Sequence, residues 1–282
     1  MVGKLLKYDL KAYFRVLTPA YLTLWAIALF CRIVQFFEPP LEAMYDAFAS
    51  YQVYRIIFVS SVVLLVLASI VVIMLTFAQI IILFYRNLFS REGYLSFTLP
   101  VSTDQHLTAK LLGAMIVQFA GILAVVIAAV VATFGEVLAE VWKAGFYLLG
   151  KLRLEIVEEF GAGHFGGWIA EFVLLFIVAA VVQVLFYYFC ITLGQRAKKN
   201  RVLMAFGVFF LVYVAVQILA TLVIILVSVN PEFLDVLFNS IRDGAPGSLH
   251  LVMWIGIVVW AGIGVVEYFI CRHVINRRLN LE

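Results

Sequence analysis

Few polar residues lie inside the long apolar stretches of this sequence, and these few are the candidates for chemistry. They are Gln79, Gln118, Gln183, Gln217 and Glu267, and all of them except Gln79 are candidates for a substrate path. Amide side chains in apolar surroundings either hydrogen-bond to neighbouring helices or line a path for a polar substrate, and both roles stay open here. Glu267 also has two interpretations: an intramembrane carboxyl that relays protons, or an interfacial carboxylate near Arg272.

Recognised catalytic and cofactor motifs are absent from the sequence. Gly3-Lys4 and Gly150-Lys151 lack the spacing and the following Ser or Thr of a phosphate-binding loop, so we expect no ATP hydrolysis by this chain. Neither the pattern H-E-x-x-H nor a G-x-S-x-G nucleophile elbow occurs. The four histidines stand far apart, and the three cysteines have no metal-ligand spacing. We therefore predict no catalytic residue, metal site or cofactor site in the chain itself.

The elements that carry the four polar candidates are predicted to be membrane-spanning helices. Of 282 residues, 65% are hydrophobic and 13% are charged, whereas soluble domains have about 45–50% apolar and about 25% charged residues. A helix needs about 20 apolar residues to cross the hydrocarbon core. The charge-free windows predict one all-α membrane domain over residues 1–282 with six spans, at about 17–37, 56–85, 111–135, 168–195, 202–229 and 249–271.

Lysine and arginine residues predict the orientation of these spans. With the N-terminus inside, fourteen of the 20 Lys and Arg residues fall in cytoplasmic segments and the remaining six fall outside. The basic hairpin Gln195–Arg201 is the strongest single marker of the inside. Because positive charge accumulates in cytoplasmic loops, this distribution predicts a multi-pass protein with both termini in the cytoplasm.

Three connecting segments have helical patterns of their own. Four basic residues share one face of the N-terminal segment, which predicts an amphipathic helix lying on anionic lipids before the first span: Lys4, Lys7, Lys11 and Arg15. The outer loop 136–167 predicts a membrane-lying helix, with a substrate lid as the alternative. Residues 231–241 predict a short interfacial or re-entrant helix between the fifth and sixth spans.

The inner loop 86–110 is unusually apolar for a cytoplasmic connection. Its large side chains need a cover, which is the membrane interface, the bundle itself or a partner protein. Ser102 and Gln105 form a capping-box pattern that starts the third span. His106 and Lys110 follow on that helix, where we expect them to face the lipid headgroups.

This loop resembles a known sequence pattern. Residues Arg91–Val101 read REGYLSFTLPV, and Lys110 is followed by two leucines, as in permeases of bacterial ATP-binding-cassette transporters of the type-2 exporter class. The last residues, Arg277–Glu282, are similar to the basic tail of the same group. The resemblance covers essentially the whole chain. It implies six spans, an N-terminal interfacial helix, a cytoplasmic coupling helix between spans two and three, and an extracellular re-entrant helix between spans five and six.

The resemblance also implies partners. Two permease subunits, identical or different, would pair in the cytoplasmic membrane of a bacterium, and separate ATPase subunits that bind ATP and Mg²⁺ would dock below them. Membrane lipids are the other expected partner, and nucleic acid is not expected. The residues implied for coupling to the ATPase are Leu88, Phe89, Arg91, Glu92, Gly93, Tyr94, Leu95 and Phe97.

The function expected from the resemblance is ATP-driven export. ATP binding would close the ATPase subunits, move the coupling loops, and change the affinity of the path between the permease halves. Because the spans hold few charges, we expect an amphipathic peptide, a lipid-like molecule or a drug as cargo. Three other classes stay open: a secondary carrier or channel, an intramembrane enzyme, and a membrane scaffold without transport.

Overall fold

The fold is described by a computed structural model over residues 2–38, 48–90, 101–134, 136–160, 162–197, 200–229 and 246–278. All regular secondary structure in these ranges is helical. The helices are α1 (Val2–Phe36), α2 (Phe48–Phe89), α3 (Thr103–Ala132), α4 (Glu136–Phe160), α5 (Ala162–Gly194), α6 (Arg201–Val229) and α7 (Pro246–Arg278).

Six of these helices are long and apolar enough to cross a membrane: α1, α2, α3, α5, α6 and α7. Each coincides with one of the six predicted spans, so the prediction of an all-α membrane protein is confirmed. The predicted coupling element extends into residues 91–100, which lie outside the described residues, as does the predicted re-entrant element at 231–241.

Helix α1 joins two elements that the sequence predicted separately. The basic N-terminal segment and the first span form one unbroken helix of 35 residues. At about 1.5 Å per residue this helix is longer than the hydrocarbon core, which is about 30 Å thick. A single buried stripe runs through both parts, at Asp9, Tyr13, Leu17, Tyr21, Leu24, Ala28 and Cys31. That continuous stripe explains the absence of a break.

Helix α4 occupies the outer loop for which a membrane-lying helix was predicted, and its existence is confirmed. Large apolar side chains on it are exposed on several sides, including Val141, Trp142, Phe146 and Leu152. Its placement on a membrane surface, and the alternative of a lid, stay predictions.

The helices divide into two compact units: Met1–Leu83 with Leu112–Tyr147, and Phe84–Leu111 with Leu148–Glu282. In the first unit, α1 and α3 run parallel. Trp25 Nε1 donates to the carbonyl of Ala124 at 2.9 Å, and Gln35 Nε2 donates to the carbonyl of Ala132 at 2.8 Å. Such bonds to backbone carbonyls hold helices together where lipid tails offer no polar partner.

In the second unit, α5 and α7 also run parallel. A Cβ atom on Gly264 of α7 would lie 2.9 Å from Val182 Cγ2, so the helices meet closely there. Helix α6 folds back on α5, with the Phe186 and Phe209 ring centroids 5.5 Å apart. A chain that crosses a membrane six times reverses direction at each crossing. The observed directions agree with this: α1 is parallel to α3, α5 is parallel to α7, and α6 is antiparallel to α5.

Candidate functional site

The four polar candidates do not form one cluster. Gln118 is buried in the first unit, whereas the other three belong to three different helices of the second unit. Gln183 Nε2 donates to the hydroxyl of Tyr187, one turn further along α5, at 3.2 Å. Gln217 is exposed on α6. Its exposure is consistent with a site for a second chain or for lipid rather than with an interhelical bond inside this chain.

Glu267 is the most confined of the four. It is 8% exposed, and its Oε2 atom has no hydrogen-bond partner among the described residues. Its electrostatic neighbours are the thiols of Cys190 and Cys271, and Thr192 lies next to Cys271. Cys190, Cys271 and Thr192 are all buried. Both interpretations of Glu267 stay predictions, and the structure adds that its carboxyl is buried with Cys190 of α5 nearby.

Two residues of the implied coupling element lie within the described structure. Leu88 and Phe89 end α2 and are buried, with the Phe89 ring centroid 5.9 Å from that of Phe84. For these two side chains the bundle itself is the cover. The remaining implied residues lie outside the described residues: Arg91, Glu92, Gly93, Tyr94, Leu95 and Phe97.

An aromatic stack fastens the end of α2 to α5. The rings of Phe84 and Tyr188 are stacked, with centroids 3.7 Å apart and planes at 7°, and both side chains are fully buried. The hydroxyl of Tyr188 donates to the backbone carbonyl of Lys110 in α3 at 3.1 Å. One tyrosine thus holds the helix before the inner loop and the helix after it.

Polar contacts fasten the start of α3 to the end of α7. Arg272 Nε lies 2.8 Å from Asp104 Oδ1, and the Tyr268 hydroxyl donates to the same oxygen at 3.2 Å. Thr103 is hydrogen-bonded to Asn276. Because the carboxylate accepts from a guanidinium and from a phenol, the start of α3 is fixed in register against the last three turns of α7.

The predicted capping box at the start of α3 is confirmed. The Ser102 backbone N–H donates to Gln105 Oε1 at 3.3 Å, and the Gln105 N–H donates to Ser102 Oγ at 3.4 Å. The predicted exposure of the next two polar residues is wrong, since His106 and Lys110 are 4% and 5% exposed. Packing within the protein buries this turn of α3.

A chain of titratable side chains joins the starts of α5 and α7. His250 Nδ1 donates to Glu171 Oε1 at 2.8 Å, and His250 Nε2 lies 3.0 Å from His164 Nδ1. Trp168 packs beside the His250 ring with centroids 5.6 Å apart. Both ring nitrogens of His250 and Nδ1 of His164 take part in these contacts. Among the described residues, no group of three His, Cys, Asp or Glu side chains is arranged to hold a metal ion.

The four histidines stand far apart in the sequence, and the pairing of two of them was not predicted. His164 and His250 are 86 residues apart but stand at the same ends of parallel helices. The signal was available in the predicted topology: the fourth and sixth spans both start on the outer side, and each carries a histidine near its start.

Comparison with known proteins adds no assignment. No protein-family model, curated protein or solved structure matches this chain. The family resemblance stated above therefore depends on the sequence pattern at residues 91–101 and on the six-helix layout.

Proposed function

We propose that this chain is the membrane-spanning subunit of an ATP-driven exporter in a bacterial cytoplasmic membrane. A separate subunit would bind ATP and Mg²⁺, a second permease subunit would complete the path, and the cargo would be an amphipathic peptide, a lipid-like molecule or a drug. Both termini of the chain would be cytoplasmic.

The observation that carries this proposal is that both flanks of segment 91–100 are fastened to α5, and the flank after the segment is also fastened to α7. Before the segment, Phe84 is stacked on Tyr188 of α5. After the segment, Lys110 accepts from the same tyrosine, and Asp104 binds Arg272 of α7. A displacement of the segment by a partner would therefore be transmitted to α5 and α7 through buried and charge-assisted contacts.

In this mechanism the ATPase subunit moves the inner loop of this chain. Arg91, Glu92 and Tyr94 would contact the ATPase, while Leu88 and Phe89 hold the loop from inside the bundle. ATP binding would pull the ATPase subunits together and shift the loop. Closely packed helices respond as bodies rather than by continuous deformation, so α5 and α7 would move with it.

A purification tests the partner. The tagged chain is isolated in mild detergent from its native membranes, and the copurifying subunits are sequenced and assayed for ATP hydrolysis. We expect a subunit with a phosphate-binding loop and ATPase activity that vanishes when the subunit is removed. Cargo transport by the purified chain alone, in vesicles without nucleotide, would refute the proposal.

A double substitution tests the docking surface. Glu92→Ala with Tyr94→Ala should reduce transport per ATP hydrolysed at least about tenfold, because tyrosine is enriched among the few interface residues whose truncation costs more than about 1 kcal/mol. The control pair is Glu140→Ala with Tyr147→Ala, which removes the same side-chain types from exposed positions on α4. Transport in the loop variant equal to that of the control would contradict the docking role.

A second candidate function is supported by Glu267. A buried carboxyl with an unpartnered oxygen is a suitable proton-binding group for a secondary carrier. In vesicles that contain this chain alone, a pH gradient would then drive cargo movement without ATP, and Glu267→Gln would abolish that movement. ATP-dependent transport that Glu267→Gln leaves intact would rule this candidate out.

A further inference from the structure

His250 is held from both sides by residues of α5, and the hydrogen positions in this contact are constrained. A carboxylate only accepts hydrogen bonds, so His250 Nδ1 carries the proton that faces Glu171. Between His250 Nε2 and His164 Nδ1, 3.0 Å apart, one hydrogen fits and two do not. The cluster therefore distinguishes between numbers of bound protons by geometry.

Two protonation states satisfy every contact. With both imidazoles neutral, His164 Nδ1–H donates to His250 Nε2. With one added proton, His250 is a cation, its Nε2–H donates to neutral His164, and its charge lies beside the Glu171 carboxylate. In both states α5 and α7 stay joined at 2.8 and 3.0 Å.

When a second proton is added to the two imidazoles, the hydrogen bond between them can no longer form. Both imidazoles would then be cations, with two N–H groups pointing at each other across the contact between the helices. Among the described residues, the titratable groups that contact His250 are His164 and Glu171, both on α5. Residues 246–266 of α7 carry no charged side chain. Glu171 offsets one positive charge, and no second carboxylate among the described residues contacts either imidazole.

We propose that Glu171, His250 and His164 form a proton-binding site that joins the starts of α5 and α7 while it holds at most one added proton and separates them when it binds a second. Histidine as a residue type changes protonation between about pH 5 and 8, and this general range sets the pH values of the test. This inference is independent of the proposed export function, because it concerns a property of the isolated chain.

Gly167 makes the contact possible. A Cβ atom at this position would lie 2.9 Å from His250 Cε1, closer than side-chain carbons approach one another. The absence of a side chain lets the imidazole lie against the backbone of α5, between its two partners. The neighbouring Gly166 has open space around it, so the requirement is specific to one position.

Paired spin labels test the proposal in lipid nanodiscs with the same pH on both sides. Labels are placed at Ile169→Cys on α5 and Leu251→Cys on α7, both exposed positions, after the buried Cys31, Cys190 and Cys271 are replaced by alanine. We expect one short distance at pH 8, and a population at that distance that falls at least about tenfold by pH 5. In His164→Gln, which takes up no second proton, the distance should not change with pH.

Histidine-selective ¹⁵N spectroscopy on the same samples counts the bound protons. The spectra should show the separation beginning only when both His164 and His250 become cations. If His164→Gln yields no folded protein, His164→Phe replaces it with the same expectation. An unchanged distance at pH 5 in the native sequence would overturn the proposal, as would equal separation in the native and His164 variants. Neither result would affect the ATPase copurification experiment.

Discussion

His250 Nδ1 lies 2.8 Å from Oε1 of Glu171, and this bond joins two parallel helices at a point where both side chains are largely withdrawn from solvent. The second carboxylate oxygen, Oε2, is buried without a hydrogen-bond partner among the described residues. A buried charge is stabilised by its partners, so losing one partner of such a pair costs more than the net contribution of the bond. The glycine next to this pair gives a direct way to disturb it.

Gly167→Ala should displace the His250 ring and lengthen its bond to Glu171, because the new Cβ atom would meet Cε1 at 2.9 Å. The expected loss of stability is about 1–3 kcal/mol, from overpacking and a weakened buried hydrogen bond. Thermal unfolding in detergent measures it. Gly166→Ala adds the same methyl group in open space and should leave the melting temperature almost unchanged. Equal melting temperatures for the two variants would show that the ring does not depend on Gly167.

Gly264→Ala tests the close approach of α5 and α7 away from the histidines. Its Cβ atom would lie 2.9 Å from Val182 Cγ2 and 3.6 Å from Leu185 Cδ1, so the branched side chain of Val182 must move. We expect a destabilisation of about 1–3 kcal/mol, measured by denaturant unfolding of the purified chain. Gly262→Ala, two residues earlier and in open space, is the control and should be neutral or slightly stabilising.

Trp25→Phe removes the bond from the indole to the Ala124 carbonyl and keeps most of the ring. Interhelical hydrogen bonds in membrane proteins contribute about 0.6 kcal/mol on average and about 1.7 kcal/mol at most. The variant should lose stability within that range, since the Ala124 carbonyl still accepts the bond of its own helix. Trp142→Phe on α4, where the ring is exposed, should have no measurable effect in the same unfolding assay.

The pair Asp104 and Arg272 tests transmission from the inner loop to α7. Asp104→Arg should reduce transport per ATP while the protein inserts normally, because two like charges would replace an attractive contact of 2.8 Å. Both side chains are about 40% exposed (42% and 39%), so the stability effect should stay below about 1 kcal/mol. Adding Arg272→Asp reverses the pair and should restore most of the coupling. A double variant as uncoupled as Asp104→Arg would show that another contact transmits the movement.

Local composition was enough to predict the six long apolar helices found among the described residues and the start of one of them. A hydrophobic stretch of about 20 residues has no alternative to a helix inside lipid, since every backbone N–H and C=O must be bonded within the segment. The capping box of Ser102 and Gln105 could also be predicted, because it involves only two residues that lie three positions apart in the sequence. Such features depend on neighbours along the chain.

The burial of several side chains depends instead on which helix faces pack against each other. His106 and Lys110 look like headgroup-facing residues in sequence, yet packing within the protein buries them. The stripe from Asp9 to Cys31 merges the N-terminal segment with the first span, although a basic, amphipathic start predicted two elements. Glu267 is buried, with Cys190 of α5 among its electrostatic neighbours.

The hydrogen bond between His164 and His250 shows which properties the sequence determines locally and which depend on helix packing. Hydropathy and charge determine how many times the chain crosses and in which direction, because the bilayer acts on each segment separately. Which side chains meet between α5 and α7 is decided by rotation and closeness of the two helices, and these depend on small residues such as Gly167 and Gly264 that let the backbones approach. Residues 86 positions apart thus become hydrogen-bonded through packing that no local pattern encodes.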